Sequence, residues 1–291
     1  MLNRARGFSL VELLVALALT LVLAAAVAML VANARALTRF QLARMGVQRS
    51  LRTAQAYLAR ELAPLDPAAG DILGLAPGSI RFRGQRGLAF LCAFRPGVLT
   101  VRKQPRFGLR PWVPGRDSLL VFVGGSGGGA GDRWVAAPLR GLMSGATCAD
   151  GSAGIDLSTV AGPGYLPAPG IFVGGPVRVF EATEVRLYRS GGVDWLGIRS
   201  LAGGGTVQPA LGPLTTRGFE VRLLDSGGAA ITDPARAYGL VATVGARSRG
   251  PERRSRGGQP AILRDSVSVV VTFRNPGRRP GVASAGGIGG P

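Results

Sequence analysis

Histidine is absent from this chain, and of its 35 basic residues only Lys103 is a lysine. Without histidine there is no Ser-His-Asp or Cys-His arrangement, no histidine metal site and no histidine general base. Cysteine is nearly absent too. Cys92 and Cys148 stand far apart, a spacing that fits no metal-ligand set. No nucleophile elbow is present, and no Ser or Asp is singled out by its surroundings. The sequence therefore nominates no catalytic residue, no metal ligands and no cofactor, and the expectation is that the chain is not an enzyme. Acidic residues are also scarce, 16 against 35 basic, for a net charge of +19. Such a balance attracts nucleic acid, anionic lipid and acidic polymers. The arginines are spread along the chain, however, and no nucleic-acid recognition motif accompanies them.

What is abundant is glycine (46) and proline (20), the residues of turns between short strands. They are missing from one region. Between Ala34 and Leu62 there is no proline, and Gly46 is the only glycine. Just before it, Leu13 to Ala32 carries no charge. About 20 such residues form roughly 30 Å of helix, the thickness of the bilayer hydrocarbon. A cleaved secretory signal has a shorter apolar stretch. Arg4 and Arg6 in front of the run point to the cytoplasmic side, with the remainder of the chain outside, although Arg35 and Arg39 come after it.

The helical pattern continues past the apolar run. Leu37, Phe40, Val47, Leu51, Ala54, Leu58 and Leu62 recur at three- and four-residue steps, which is one helical stripe. Pro64 ends it. One helix is thus expected over residues 8–63, membrane-spanning in 8–32 and amphipathic beyond.

From residue 64 to 274 a single β-rich headgroup is expected. Strands are read at 79–83, 88–94, 98–103, 117–123, 177–182, 184–189, 194–200, 218–225, 240–247 and 265–274. Several alternate at period two: Phe219, Val221 and Leu223 share a face, as do Val267, Val269, Val271 and Phe273. The fold class is α+β, a long N-terminal helix packed on an antiparallel sheet. If the headgroup lies outside the cytoplasm, Cys92 and Cys148 form a disulfide; otherwise they are two buried thiols. The glycine-rich stretch 124–132 lacks the lysine and hydroxyl of a phosphate loop and reads as a flexible connection. The segment 246–260 sets Arg247, Arg249, Arg253, Arg254 and Arg256 against Glu252. It is either a solvated hairpin loop or an electrostatic contact with a filament partner, DNA or an anionic surface. Residues 275–291 are rich in Gly and Pro and read as a disordered tail.

The stretch RGFSLVELLVALAL, residues 6–19, resembles the class III signal of type IV pilins and type II secretion pseudopilins. The resemblance implies that residues 1–7 are a basic leader and that a prepilin peptidase cuts between Gly7 and Phe8. It also implies N-methylation of Phe8. Glu12 would pair with the new amine of a neighbouring subunit, fixing the stagger between subunits. The region 224–248, with the later strand ending at Arg274 and Asn275, is similar to minor pilins of the PilW class and to J-type pseudopilins. So is YLARELAP, residues 57–64, although an aromatic and glycine signature common next to it in the PilW class is missing. This resemblance implies a minor pilin that initiates or caps a type IV pilus, with a J-type secretion pseudopilin or an adhesin or DNA-binding tip subunit as alternatives. Its partners would be other pilins, the prepilin peptidase and the inner-membrane assembly platform. Its location would be the inner membrane as a single-pass protein with a periplasmic headgroup, then the pilus or pseudopilus. The small residues Ala16, Ala18, Ala24, Ala25, Ala26 and Ala28 would let helices approach closely.

Overall fold

A computed structural model describes residues 9–108, 110–124, 132–160, 170–255 and 257–273. The leader, Gly7 and Phe8, nearly all of the glycine-rich stretch, Arg256, and the chain from Arg274 through the 275–291 tail lie outside the described residues. The chain divides into two compact units. One comprises Met1–Ser50 with Arg247–Asp265, the other Leu51–Ala246 with Ser266–Pro291.

A single helix, α1, runs from Leu10 to Leu62. At 1.5 Å per residue, its 53 residues extend about 80 Å. Leu, Ala and Val fill its first half, and their side chains offer the backbone no competing hydrogen bonds. Leu13, Leu17, Leu21 and Leu30 are all exposed, and the apolar stretch is not covered by any other described part of the protein. A bare hydrocarbon surface of this length has to be covered by lipid or by other helices. The stripe predicted for the second half splits. Ala54, Leu58 and Leu62 are completely buried and Leu51 nearly so, whereas Leu37 is 43% exposed. Burying one such leucine stabilises by about 1.5–3 kcal/mol. Beyond Leu62 the chain turns: the Asp66 carboxylate accepts from Ala69 N at 3.1 Å, and Asp71 accepts from Asp66 N at 2.9 Å.

The sheet unit contains β1 (Ile72–Ala76), β2 (Ser79–Arg95), β3 (Val98–Arg102), β4 (Phe107–Gly108), β5 (Ser118–Val123), β6 (Arg133–Pro138) and β7 (Gly141–Thr147). Next along the chain are β8 (Ala153–Ser158), β9 (Pro176–Ser190), β10 (Val193–Ser200), β11 (Gln208–Leu224), β12 (Ala230–Ile231), β13 (Gly239–Arg247) and β14 (Arg264–Thr272). Along the sheet the order is β14-β13-β11-β10-β9-β2-β3-β8-β7, and β5 joins β9 to β6. β2 and β9 pair antiparallel at the centre, from Ser79 opposite Arg186 to Phe90 opposite Pro176. The lower segment of α1, Leu51 to Leu62, packs on this sheet, so the α+β architecture stands. A tight cluster of Ala89, Leu91, Leu99, Trp112, Leu119 and Val177 forms one core of the unit.

Two pairs of predicted strands are single strands. Residues 79–83 and 88–94 both belong to β2, and 177–182 and 184–189 both belong to β9. The reason in β2 is a bulge. Gln85 faces Phe180 and Gly87 faces Val179, leaving Arg86 as an extra residue. Ile80 and Phe82 are buried before the bulge, Ala89 and Leu91 after it. The inward parity switches from even to odd, which reads in sequence as two strands. Gly87 is required there, because a Cβ would run into the Trp112 indole and the Phe107 carbonyl.

Cys92, in β2, and Cys148, just after β7, are bonded, with Cα atoms 5.5 Å apart and a separation of 56 residues. In the chain-entropy account, closing a loop of that length stabilises by ~4 kcal/mol. Replacing both cysteines by serine, or reducing the bond, is expected to lower the urea midpoint by a corresponding amount. An unchanged midpoint in equilibrium urea titrations with and without reductant would contradict this.

Candidate functional site

Three parts of the molecule bear on function: the first turn of α1, the junction of α1 with the sheet, and the arginine segment after β13.

In the first turn, Ser9 and Glu12 form a reciprocal pair. The Glu12 carboxylate accepts from Ser9 N at 3.0 Å, and the Ser9 hydroxyl accepts from Glu12 N at 3.1 Å. This is a capping box: two backbone N–H groups that the helix cannot satisfy find side-chain acceptors. The sequence signal for it is the S-x-x-E spacing of SLVE at 9–12. A carboxylate beside the positive end of the helix dipole is also favourably placed. Glu12 itself is exposed, so its carboxylate can be reached from outside the chain.

At the foot of α1, Glu61 is buried, and its Oε2 accepts from Arg86 Nη1 at 2.8 Å. Arg86 Nε reaches Glu181 Oε2 at 3.0 Å. Glu181 also accepts from Arg116 Nε at 2.6 Å and from Arg110 Nη2 at 3.0 Å. Arg110 forks onto both oxygens of Asp117, at 2.5 and 2.8 Å. Glu61, Glu181 and Asp117 are each at most 5% exposed, so the charges must be matched within the protein. Arg86 keeps the even, inward parity of Ile80 and Phe82, and the bulge shifts the inward positions to odd numbers only after it. Nearby, Glu184 lies between Arg81 at 3.1 Å and Arg199 at 2.7 Å, and Asp71 binds Arg178 at 2.7 Å. None of these residues stands out in the sequence. Each is a charged residue inside a strand, helix or turn of ordinary pattern, and except for Arg110 with Asp117 the partner comes from a different element.

Burial alone would raise the Glu181 carboxyl, but hydrogen bonds from Arg116, Arg86 and Arg110 overcome it and hold the group down at about 2. A carboxylate depressed in the folded state adds stability that is complete above the unfolded value, about 4.3, and disappears as pH falls through the folded one. The melting temperature of the protein is therefore expected to fall between about pH 5 and pH 2. It should fall less in Glu181→Gln, whose lower starting stability no longer carries this dependence. Equal slopes for the two proteins would contradict the assignment.

The arginine segment forms an ordered hairpin. Glu252 and Ala261 exchange backbone hydrogen bonds at 2.9 and 3.0 Å. The buried Ser248 donates its N–H to the Leu263 carbonyl at 2.9 Å, and its hydroxyl accepts from Leu263 N at 3.1 Å. Arg249, Arg253 and Arg254 are exposed, and Arg247 is half-buried. The hairpin belongs to the same compact unit as the upper helix. There, Leu263, Arg264 and Asp265 line one cleft with Phe40, Arg44 and Gln48.

Residues 2–28 match the family model of the prokaryotic N-terminal methylation motif. The motif indicates a protein of the type IV pilin or pseudopilin type, processed by a prepilin peptidase and assembling with other pilins. With the long apolar helix, it fits a membrane anchor that crosses once. Comparison with curated proteins finds no match, and comparison with solved structures finds none either.

Proposed function

We propose that this chain is a minor pilin of a type IV pilus, a structural and non-catalytic subunit that helps to initiate or cap the filament. The observation that carries the reading is the methylation motif at the head of one continuous 53-residue helix. The first half of that helix is bare and apolar, and its foot is buried in a β-sheet unit. Such a helix serves as a membrane anchor before assembly and as a filament stave after it. Assembly exchanges lipid contacts for helix contacts, which the alanines at 16, 18, 24, 25, 26 and 28 make close.

Cleavage between Gly7 and Phe8 creates an amine that does not exist in the precursor. An acid within a membrane costs about 2.5–3.5 kcal/mol at the helix centre and less near an end. In the single subunit the capping box and helix dipole offset part of this cost for Glu12. In a filament, the methylated amine of a neighbouring subunit supplies the full counter-charge. The peptidase of the family cuts on the cytoplasmic side of the membrane, and Arg4 and Arg6 lie at that end. The sheet unit is accordingly assigned to the periplasmic side, where Cys92 and Cys148 can stay oxidised.

Mass spectrometry of purified filaments tests the proposal. It should find this chain incorporated, beginning at a methylated Phe8. A processed chain that co-purifies only with a secretin and secretion ATPase, and never with pili, would favour the J-type pseudopilin reading suggested by the C-terminal resemblance.

A further inference from the structure

The upper part of α1 carries Arg35, Arg39, Arg44 and Arg49, with no acid between Asn33 and Ser50. The hairpin of the same unit adds Arg247, Arg249, Arg253, Arg254 and Arg264, against only Glu252 and Asp265. All of these arginines but Arg247 are exposed. Their arrangement around the helix is informative. At about 100° per residue, Phe40, Arg44 and Val47 project to one side, where the hairpin packs. Arg35 and Arg49 project to the opposite side, and Arg39 lies between the two. Positive charge therefore surrounds the helix rather than forming one face.

Its height along the helix is equally specific. The uncharged run ends at Ala32. Arg35 and Arg39 lie about 5 and 10 Å further along. A bilayer of roughly 40–45 Å with a hydrocarbon core of about 30 Å leaves a headgroup layer of about 5–8 Å on each side. Arg35 is thus at headgroup level and Arg39 just beyond it, within a side chain's reach of the phosphates. The hairpin contacts residues 40–48, about 12–24 Å beyond Ala32. Its near edge is within one to two screening lengths of the phosphates at physiological salt, about 8 Å each. Exposed Leu37, Leu42 and Met45 lie among these arginines, the mixture of cationic and apolar groups that favours a membrane interface.

We propose that residues 35–49 of α1 and the hairpin 247–264 form a basic collar. It binds the anionic phospholipid headgroups of the leaflet into which the C-terminal end of the apolar run emerges, and so sets the depth of the anchor before assembly. Duplex DNA is a poorer occupant, because it needs a continuous basic face and this charge encircles a membrane-anchored rod. The inference deepens the reading of α1 as an anchor and rests on it.

The test uses the full chain in lipid nanodiscs, either of phosphatidylcholine alone or of phosphatidylcholine mixed equally with phosphatidylglycerol. Hydrogen–deuterium exchange is read on peptides covering 33–50 and 247–265. Exchange of both is expected to slow several-fold in the anionic discs. The protection should be lost in about 1 M salt, where the screening length is about 3 Å, and in the variant Arg249→Glu/Arg253→Glu/Arg254→Glu for the hairpin peptide. An unchanged melting temperature of that variant in neutral discs shows that it folds. Equal exchange in the two kinds of disc overturns the collar, as does protection by short duplex DNA in neutral discs without any effect of phosphatidylglycerol. Failure of the chain to enter either disc is a separate result: it overturns the anchor reading, and the collar with it.

Discussion

Glu12→Gln is expected to leave the subunit inserted and cleaved but to reduce its incorporation into filaments by about 100-fold. This variant separates two roles that one side chain holds at once. Glutamine at the same position can still accept from Ser9 N and keep the capping box. It cannot neutralise the amine of a neighbouring subunit. An unpaired charge among apolar helices costs several kcal/mol, and about 2.7 kcal/mol corresponds to 100-fold in an equilibrium. Glu12→Ala removes both roles and should do at least as much harm. Ser9→Ala weakens only the cap, which costs about 0.5–2 kcal/mol, most of it compensated once the helix is held in lipid. The measurement is the ratio of this chain in sheared filaments to this chain in membranes. If Glu12→Gln assembles as well as the natural chain, charge pairing is not what recruits the subunit.

Arg86→Ala is expected to destabilise the sheet unit by about 3–5 kcal/mol, the usual consequence of removing one partner from a buried ion pair. Glu61 would keep only Arg60, 3.3 Å away and largely exposed, while Glu181 would keep Arg110 and Arg116. Most of the loss therefore falls on Glu61, at the foot of the helix. Domains of this kind are stable by about 5–15 kcal/mol, so the effect is a large fraction of the whole. Arg95→Ala is the control. Its partner Asp156 is 3.0 Å away, but Arg95 is 65% exposed, and a surface pair contributes only about 0–1 kcal/mol. Urea titrations of the two variants should differ severalfold in their shift of midpoint. Similar shifts would mean that the junction is held by packing of Ala54, Leu58 and Leu62 alone.

The position of Arg86 explains why the junction is invisible in the sequence. It falls between the two segments that read as strands, because the bulge beside it shifts the inward parity of β2 and breaks the alternation there. The arginine segment shows the same limit. That 247–260 is basic is plain from the sequence, as is the hairpin alternative. That it belongs to one unit with residues 1–50, some 200 positions away, is not.

The sequence alone determined the long helix, its apolar and amphipathic halves, its end near Pro64, the processing motif, and most of the strands. Each of these is written in residues adjacent along the chain: an uncharged run, a 3.6-residue stripe, a period-two alternation, a glycine before a phenylalanine. Only the tertiary structure decided that β2 and β9 share the centre of the sheet, that Glu61 meets Arg86 and Arg86 meets Glu181, and that the basic hairpin packs against the upper helix. Those choices depend on which of many strands of similar pattern pair, and in what register. The free energy that selects among them comes from contacts between distant residues, which no local period records.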